Sequence, residues 1–300
     1  MIAFIHIYKC AGTTFNVLLR NHFGLGHLDR FGFRERWLTG QDLRRLRRVY
    51  PWLQSIGGHP VRPMSDLETA MPDLRYYTFL RDPLARAASH FPWFLSWKAH
   101  ANIFYDDFDE VFRRWAAAPI NRNRQCAHLS KEATFEAAWD MIHRKRILTL
   151  RVECFDISLL LFRQWSGESE LDLRVRPRNI AGVGRGRAEK KDAEYSAQIK
   201  AYALQLKTDP GLREILAEAN GEDVRLESRV AREIWPEMVS TYPGDLDADT
   251  AALKLANQTA PAKPNDTTVA KLYRNLVYKP VRKIMMPHGE SEATRASEWV

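Results

Sequence analysis

The segment HIYKCAGTTF, residues 6–15, decides the fold. It follows an apolar run over residues 2–7 and precedes a stretch with helical spacing, so it predicts a strand, a short loop and a helix that begins near Thr13 or Thr14. In such a connection the first backbone N–H groups and the positive end of the helix face whatever lies above the loop. The segment therefore predicts an anion-binding loop.

The order of residues in this loop differs from that of a Walker A motif. A Walker A loop has the order Gly-Lys-Ser/Thr, which places its lysine at the start of the helix. Here Lys9 comes three residues before Gly12 and leaves the end of the strand, so it approaches the anion from the opposite side. An ordinary strand-to-helix turn with a surface lysine is the alternative that this segment alone leaves open.

A second segment, YYTFLRDPLARAASHF, repeats the pattern of a strand followed by a helix. Arg81 stands at the end of the predicted strand, and Asp82 and Pro83 suit the N-cap and first turn of the helix. Ser89 follows two turns later, ~10 Å of helix rise from the cap, which a long arginine side chain can span. Arg81 and Ser89 are thus predicted to hold one anion together.

The rest of the chain fits an α/β fold. Its 300 residues can bury one sizeable core, and its apolar runs alternate with helical patterns, which predicts a parallel sheet with helices on both faces. Predicted strands cover residues 3–7, 53–57, 76–80 and 147–152. Predicted helices cover residues 14–22, 83–97, 108–117 and 157–165, the last with Asp156 as its N-cap.

The composition changes near residue 241 and becomes rich in Pro, Asp, Thr and Ala. This change predicts a main domain over residues 1–240, followed by a weakly ordered linker and a basic tail over residues 241–300. Pro280 interrupts any helix in the tail segment KLYRNLVYKPVRKIM. We therefore expect a solvated extension there, with binding to a membrane or a partner as the alternative.

Charge and cysteine usage narrow the class of protein. Forty-five Lys and Arg against 37 Asp and Glu leave a net charge of +8, which favours anionic ligands such as nucleotides, nucleic acids or acidic glycans. No aromatic-interleaved RNA-binding motif accompanies this charge.

Cys10, Cys126 and Cys154 include no CxxC pair, which argues against a disulfide framework or a zinc site and indicates a reducing cytoplasm. The first apolar run is too short for a signal peptide or membrane span.

Taken together, the two segments resemble the sulfotransferase superfamily, whose members use 3′-phosphoadenosine 5′-phosphosulfate (PAPS) as sulfuryl donor. HIYKCAGTTF resembles that family's 5′-phosphosulfate loop, and FLRDPLARAASHF resembles its 3′-phosphate motif. The resemblance is closest to carbohydrate sulfotransferases of the heparan 2-O-sulfotransferase type, and it continues weakly through NRNRQCAHLS and LRVECFDISLLLFRQWSG. Tyr8 replaces the family's usual proline, and Cys10-Ala11 replaces a Thr-Gly pair, which alters the shape of the loop.

The resemblance implies an enzyme that transfers a sulfuryl group from PAPS to an acceptor hydroxyl, with a carbohydrate as the acceptor. It implies 3′,5′-bisphosphoadenosine as the nucleotide product, no requirement for a metal and no nucleic-acid partner. The residues that it assigns to the donor are Lys9 at the bridging oxygen, Ala11, Gly12, Thr13 and Thr14 at the 5′-phosphate, and Arg81 and Ser89 at the 3′-phosphate.

The third feature is His59, which follows two glycines in SIGGHP. The same resemblance suggests that it is the catalytic base, since a neutral imidazole with an ordinary pKa of about 6.5 can accept the proton of a hydroxyl group. A structural role for His59, with a carboxylate elsewhere as base, is the alternative. His6 and His90 are predicted to be packing residues, and Arg86 is predicted to be structural.

Two other functions remain open on the sequence. A P-loop kinase would use Asp82 as a Walker-B-like ligand of Mg²⁺, although the position of Lys9 opposes it. A basic nucleic-acid-binding protein would show strong and steeply salt-dependent affinity for random sequences. The basic segment over residues 174–187 is predicted to be either a mobile cover over the nucleotide or a plain surface loop.

Overall fold

The computed structural model describes residues 1–29, 37–175, 190–259 and 272–281. Within them, one five-stranded sheet has the order β2-β3-β1-β4-β5, and every pairing is parallel. The strands are β1 (Ile2–Ile5), β2 (His27–Leu28), β3 (Ser55–Gly58), β4 (Arg75–Leu80) and β5 (Leu148–Arg151). The predicted α/β class, a parallel sheet flanked by helices, is confirmed.

The helices agree with the sequence pattern where that pattern is strongest, and α4 has the predicted bounds. They are α1 (Gly12–Phe23), α2 (Gly40–Val49), α3 (Pro83–His100), α4 (Phe108–Ala117), α5 (Arg124–Leu129), α6 (Phe135–Arg144), α7 (Phe155–Ser166), α8 (Lys190–Thr208), α9 (Pro210–Ala219), α10 (Gly221–Arg229), α11 (Trp235–Ser240) and α12 (Leu246–Asn257). As predicted, the Asp82 side chain caps α3 by accepting a hydrogen bond from Ala85 N–H, and Pro83 lies in the first turn.

The central strand β1 is buried along its whole length. Its residue Ile2 is in register with Ser55 of β3 on one side and with Arg75 of β4 on the other. From β1 the chain crosses towards β2, whereas from β4 it crosses in the opposite direction to β5. The carboxyl ends of β1 and β4 therefore form a topological switch point, the place where open parallel sheets bind ligands.

Apolar side chains form two clusters. The larger one surrounds the sheet. The smaller one joins α3, α4, α8 and α9 through rings such as Phe91, Phe112 and Tyr202. Because α3 contributes to this second cluster while its first residues follow β4, it links the helical layer to the edge of the sheet that carries the switch point.

One strand was missed, and one prediction about local structure is wrong. Strand β2 was not predicted, because His27–Leu28 is too short to show an alternating pattern. Asp156 is not the N-cap of α7; Cys154 occupies that position, and Asp156 lies in the first turn. Its Oδ1 accepts a hydrogen bond from Asn257 Nδ2 at 3.0 Å.

The prediction of a weakly ordered linker is wrong for the stretch that forms α12. Asp245 caps this helix, and Leu253 is buried within the main cluster. The expectation of a solvated extension is also wrong for part of the tail: residues 272–281 are helical, so Pro280 does not interrupt the helix there. The rings of Tyr273 and Tyr278 each lie 5.2 Å from that of Tyr50. The cover predicted over residues 174–187 lies outside the described residues from position 176 onward.

Candidate functional site

The loop between β1 and α1 is held in an unusual backbone conformation. Lys9 has φ 65° and Ala11 has φ 56°, both in the left-handed region that side chains with a Cβ rarely adopt. Such strain concentrates at sites that bind ligands. Helix α1 has no side-chain N-cap and no acidic residue in its first turn, so no carboxylate of its own neutralises its positive end.

Gly12 allows His6 to lie directly against the start of α1. A Cβ atom built at Gly12 would stand 2.0 Å from Cδ2 of the His6 ring, a distance that no side chain can tolerate. Burial lowers the pKa of His6 to about 4, so its ring is neutral at pH 7. The predicted packing role of His6 is confirmed, and the loop needs glycine because this ring fills the space.

Arg81 joins the two predicted anion-binding segments. Its Nη1 donates a hydrogen bond to the Lys9 carbonyl oxygen at 3.0 Å. Among the described residues, neither side chain has a carboxylate partner. Burial, with Arg81 as the second cause, lowers the pKa of Lys9. The structure thus brings two cations together at the carboxyl ends of β1 and β4.

The other predicted donor residues are distributed around this pair. Thr13 and Thr14 lie in the first turn of α1, with Thr14 buried and Thr13 partly exposed. Ser89 is half-buried on α3. No hydrogen bond links Ser89 to Arg81 in the part of the chain that the structure describes, so the predicted pairing of these two side chains stays a prediction.

His59 follows β3 and lies against the loop. Its Nδ1 is 2.7 Å from the His6 carbonyl oxygen. A carbonyl oxygen can only accept, so Nδ1 carries the proton and the lone pair is on Nε2. The ring stacks on that of Tyr8, with centroids 3.7 Å apart and planes 10° apart. Burial is the main reason that the pKa of His59 lies well below its ordinary value, with His6 as the second cause.

Two residues near His59 were not identified from the sequence. The Arg124 guanidinium lies over the Tyr8 ring at 4.9 Å, and the His128 ring is 6.5 Å from that of His59. Both belong to the segment NRNRQCAHLS, which the family resemblance covers only weakly. Arg124 and His128 could be read in that segment, but only the fold places them beside Tyr8 and His59.

Arg62 is a further residue that sequence reasoning missed, although it stands three positions after His59. Its Nε and Nη1 atoms are buried and have no hydrogen-bond partner among the described residues. Burial, followed by the nearby charge of Arg124, lowers the pKa of Arg62 to about 9. The neighbourhood of His59 is therefore rich in rings and cations.

The remaining predicted residues have structural partners. Arg86 is fully buried, donates from Nη2 to Asn220 Oδ1 at 2.9 Å, and has Nε 3.9 Å from Asp223 Oδ2. Its predicted structural role is confirmed, although its partners are side chains of the distant α9–α10 region. His90 is fully buried and packs against the rings of Trp93 and Trp115, which confirms its predicted packing role.

Comparisons with known proteins add no assignment. No family model matches the chain, and no curated protein matches its sequence. Within the described ranges, no helix is long and apolar enough to cross a membrane. In the same ranges, no group of three or more His, Cys, Asp or Glu side chains is arranged to hold a metal ion.

Proposed function

We propose that the chain is a PAPS-dependent sulfotransferase that transfers a sulfuryl group to a hydroxyl of a carbohydrate. The observation that carries this proposal is the hydrogen bond from Arg81 to the Lys9 carbonyl, which joins two cationic segments at the topological switch point. PAPS has a phosphosulfate on its 5′ side and a phosphate on its 3′ side, so its binding requires two cationic positions. Lys9 and Arg81 supply one each.

Lys9 would act on the leaving group. PAPS, when bound, would supply the sulfuryl group, which passes to the acceptor oxygen while the bridging oxygen stays on the departing 5′-phosphate of 3′,5′-bisphosphoadenosine. In an in-line displacement negative charge develops on the departing oxygen, so a cation directed there stabilises the transition state more than the ground state. Lys9 leaves the strand ahead of the loop, on the side opposite to a Walker A lysine, which suits this role. Burial and the charge of Arg81 lower the pKa of Lys9, and an anionic ligand beside Lys9 would offset both effects.

The two phosphates of the donor would bind different elements. The first turn of α1, with Thr13 and Thr14, would hold the 5′-phosphate through backbone N–H groups and hydroxyls, since that turn contains no acidic residue. Arg81 would hold the 3′-phosphate with its guanidinium, and Ser89 would add a hydroxyl from α3.

His59 would accept the proton of the acceptor hydroxyl at Nε2. The hydrogen bond from Nδ1 to the His6 carbonyl leaves the Nε2 lone pair available. No described residue donates a hydrogen bond to Nε2. The lowered pKa keeps the ring neutral at pH 7, which is the form that accepts a proton. The basic, ring-lined surroundings of His59 would receive the acceptor.

The first test is nucleotide binding by calorimetry. The protein should bind 3′,5′-bisphosphoadenosine more tightly than AMP by about 10–150-fold, because a hydrogen bond to a charged group contributes roughly 1.5–3 kcal/mol. Equal affinities would contradict the proposal. A preference for ATP with Mg²⁺ would favour a kinase, and strong salt-dependent binding of random RNA or DNA would favour a nucleic-acid-binding protein.

The second test is activity. The protein, supplied with PAPS, should transfer sulfate to at least one member of a panel of glycans, phenols and lipids, and the glycans are the expected acceptors. Transfer to phenols or lipids alone would keep the sulfotransferase and reject the carbohydrate acceptor.

We also propose a reducing compartment such as the cytoplasm, because Cys10, Cys126 and Cys154 are free thiols. Thiol titration of the protein isolated from its own cells should find all three reduced.

A further inference from the structure

Gln125 of α5 makes two reciprocal hydrogen bonds with the main chain of Arg81. Its Oε1 accepts from Arg81 N–H at 2.9 Å, and its Nε2 donates to the Arg81 carbonyl at 2.9 Å. A side-chain amide used in this way replaces the neighbour that a continuing strand would have. Because it contacts both polar groups of one residue, it determines where β4 ends and in which direction the Arg81 side chain leaves.

Asp223 of α10 in turn holds Gln125. The fully buried Asp223 carboxylate accepts hydrogen bonds from Gln125 N–H at 3.0 Å and from Cys126 N–H at 2.8 Å. Its counterion is Arg86 of α3, whose guanidinium also donates to Asn220. Asp223 lies 142 positions after Arg81 in the chain, and it is connected to Arg81 at the switch point through Gln125.

The chain of contacts ends at the loop. Arg81 Nη1 donates to the Lys9 carbonyl, and Lys9 is one of the two residues of this loop that have positive φ. A displacement of Arg81 would therefore remove the hydrogen bond that supports the strained loop. Displacements of about 1 Å in a catalytic site can cost about 100-fold in rate, so a side chain that excludes them matters for function.

We propose that Gln125 is a positioning residue that sets the placement of Arg81 and, through it, of the Lys9 loop, and that Asp223 fixes Gln125 in this role. The ligand named below rests on the proposed function. The placement itself can be tested without a ligand.

The experiment compares Gln125→Met with Gln164→Met. Both variants replace glutamine by an apolar chain of similar length. Among the described residues, the exposed Gln164 side chain makes one hydrogen bond, from Nε2 to the Thr241 carbonyl. Hydrogen exchange in the nucleotide-free protein should accelerate by about tenfold or more in peptides that cover residues 6–14 and 78–84 of Gln125→Met, but not in Gln164→Met. Unchanged exchange in these peptides would overturn the inference.

A second measurement separates positioning from general destabilisation. Gln125→Met should lower the ratio of affinities for 3′,5′-bisphosphoadenosine and AMP by about tenfold, whereas a purely structural loss would lower both affinities and leave the ratio unchanged. If the wild type itself shows no preference, the proposed function fails while hydrogen exchange still decides the inference. If Gln125→Met does not fold, Asp223→Asn, which retains the shape, should accelerate loop exchange to a smaller extent, and no acceleration would overturn the inference.

Discussion

The two sides of the candidate site are held by different kinds of contact. On the Lys9 side, formed by residues 6–15 and Arg81, a directional hydrogen bond joins one cationic side chain to the backbone of the other. On the His59 side, one hydrogen bond orients the imidazole, the ring stacks on Tyr8, and burial is the main reason that the pKa of the ring is lowered. The positions of the two cations on the first side therefore follow from the ends of the strands, whereas the protonation state of His59 on the second side follows from packing.

The largest effect is expected on the His59 side. His59→Ala should lower turnover by about 10²–10⁴, the contribution of a positioned general base, and leave nucleotide affinity nearly unchanged. Steady-state transfer from PAPS and calorimetry with 3′,5′-bisphosphoadenosine measure the two quantities. His143→Ala is the matched control, because in the described part of the chain the contacts of that exposed histidine are with Trp139 of its own helix. Wild-type turnover in His59→Ala would assign the base to another group.

On the Lys9 side, Lys9→Ala should lower turnover by about 10²–10³, the cost of losing one preorganised donor to the transition state. The affinity for the nucleotide product should weaken much less, since the two phosphates retain α1 and Arg81. Lys254→Ala removes an exposed lysine of α12 and should change neither quantity. Near-normal turnover in Lys9→Ala would remove Lys9 from the mechanism and leave the loop as an ordinary turn.

On the Lys9 side, Arg81 is expected to affect nucleotide binding, whereas Lys9 is expected to affect the chemical step. Arg81→Ala should remove most of the preference for 3′,5′-bisphosphoadenosine over AMP, a change of about 10–150-fold in the ratio of affinities. Calorimetry with both nucleotides measures it. Arg144→Ala, which removes a surface arginine paired only locally with Asp140, should leave the ratio unchanged. An unchanged ratio of affinities in Arg81→Ala would indicate that another cation binds the 3′-phosphate.

Gly12 connects the two sides, because its missing side chain makes room for His6, whose carbonyl orients His59. Gly12→Ala should lower the free energy of unfolding by about 1–3 kcal/mol, the usual cost of overpacking. Gly221→Ala is the control: a Cβ there meets nothing within 4 Å, and alanine favours a helix by up to about 1 kcal/mol. Denaturant unfolding compares the two, and equal stabilities would show that His6 moves aside freely.

The smallest effect concerns pH. In the proposed mechanism the neutral form of His59 accepts the proton. Burial lowers the pKa of His59 well below 6.5, so the ring stays neutral until the pH falls well below that value. The rate should therefore change by less than about twofold between pH 6.5 and 8 and fall only at more acidic pH. A pH–rate profile on the folded protein measures this. A half-maximal rate near pH 6.5 would indicate a solvated base.

Local signals were sufficient for the Lys9 side. A strand of apolar residues, a loop with glycine and a helix can be predicted from neighbours in sequence, and so can the capping of α3 by Asp82 and the presence of Arg81 at a strand end. Parallel strands then bring these loops to one edge of the sheet. On this side, the left-handed backbone of Lys9 and Ala11 was not predicted, because neither residue type favours that conformation.

Other elements could not be predicted because their stability comes from distant partners. The two-residue strand β2 pairs with β3, and α12 forms in a composition typical of linkers because Leu253 is buried in the main cluster. The proximity of Arg62 and Arg124 could not be predicted either. Burial is the main reason that the pKa of each guanidinium is lowered, and the charge of Arg124 lowers the pKa of Arg62 further. Propensity is a weak prior wherever tertiary burial supplies most of the free energy.

The amino-acid sequence by itself determined the α/β class, the loop that carries Lys9 and the strand end that carries Arg81, because periodicity and capping act between residues close in the chain. The tertiary structure alone decided that Arg81 hydrogen-bonds to Lys9, that Tyr8 stacks on His59 and that Asp223 reaches Gln125. These contacts join positions separated by many residues. Their partners are selected by shape and by the need of buried polar groups for hydrogen bonds, which no local pattern encodes.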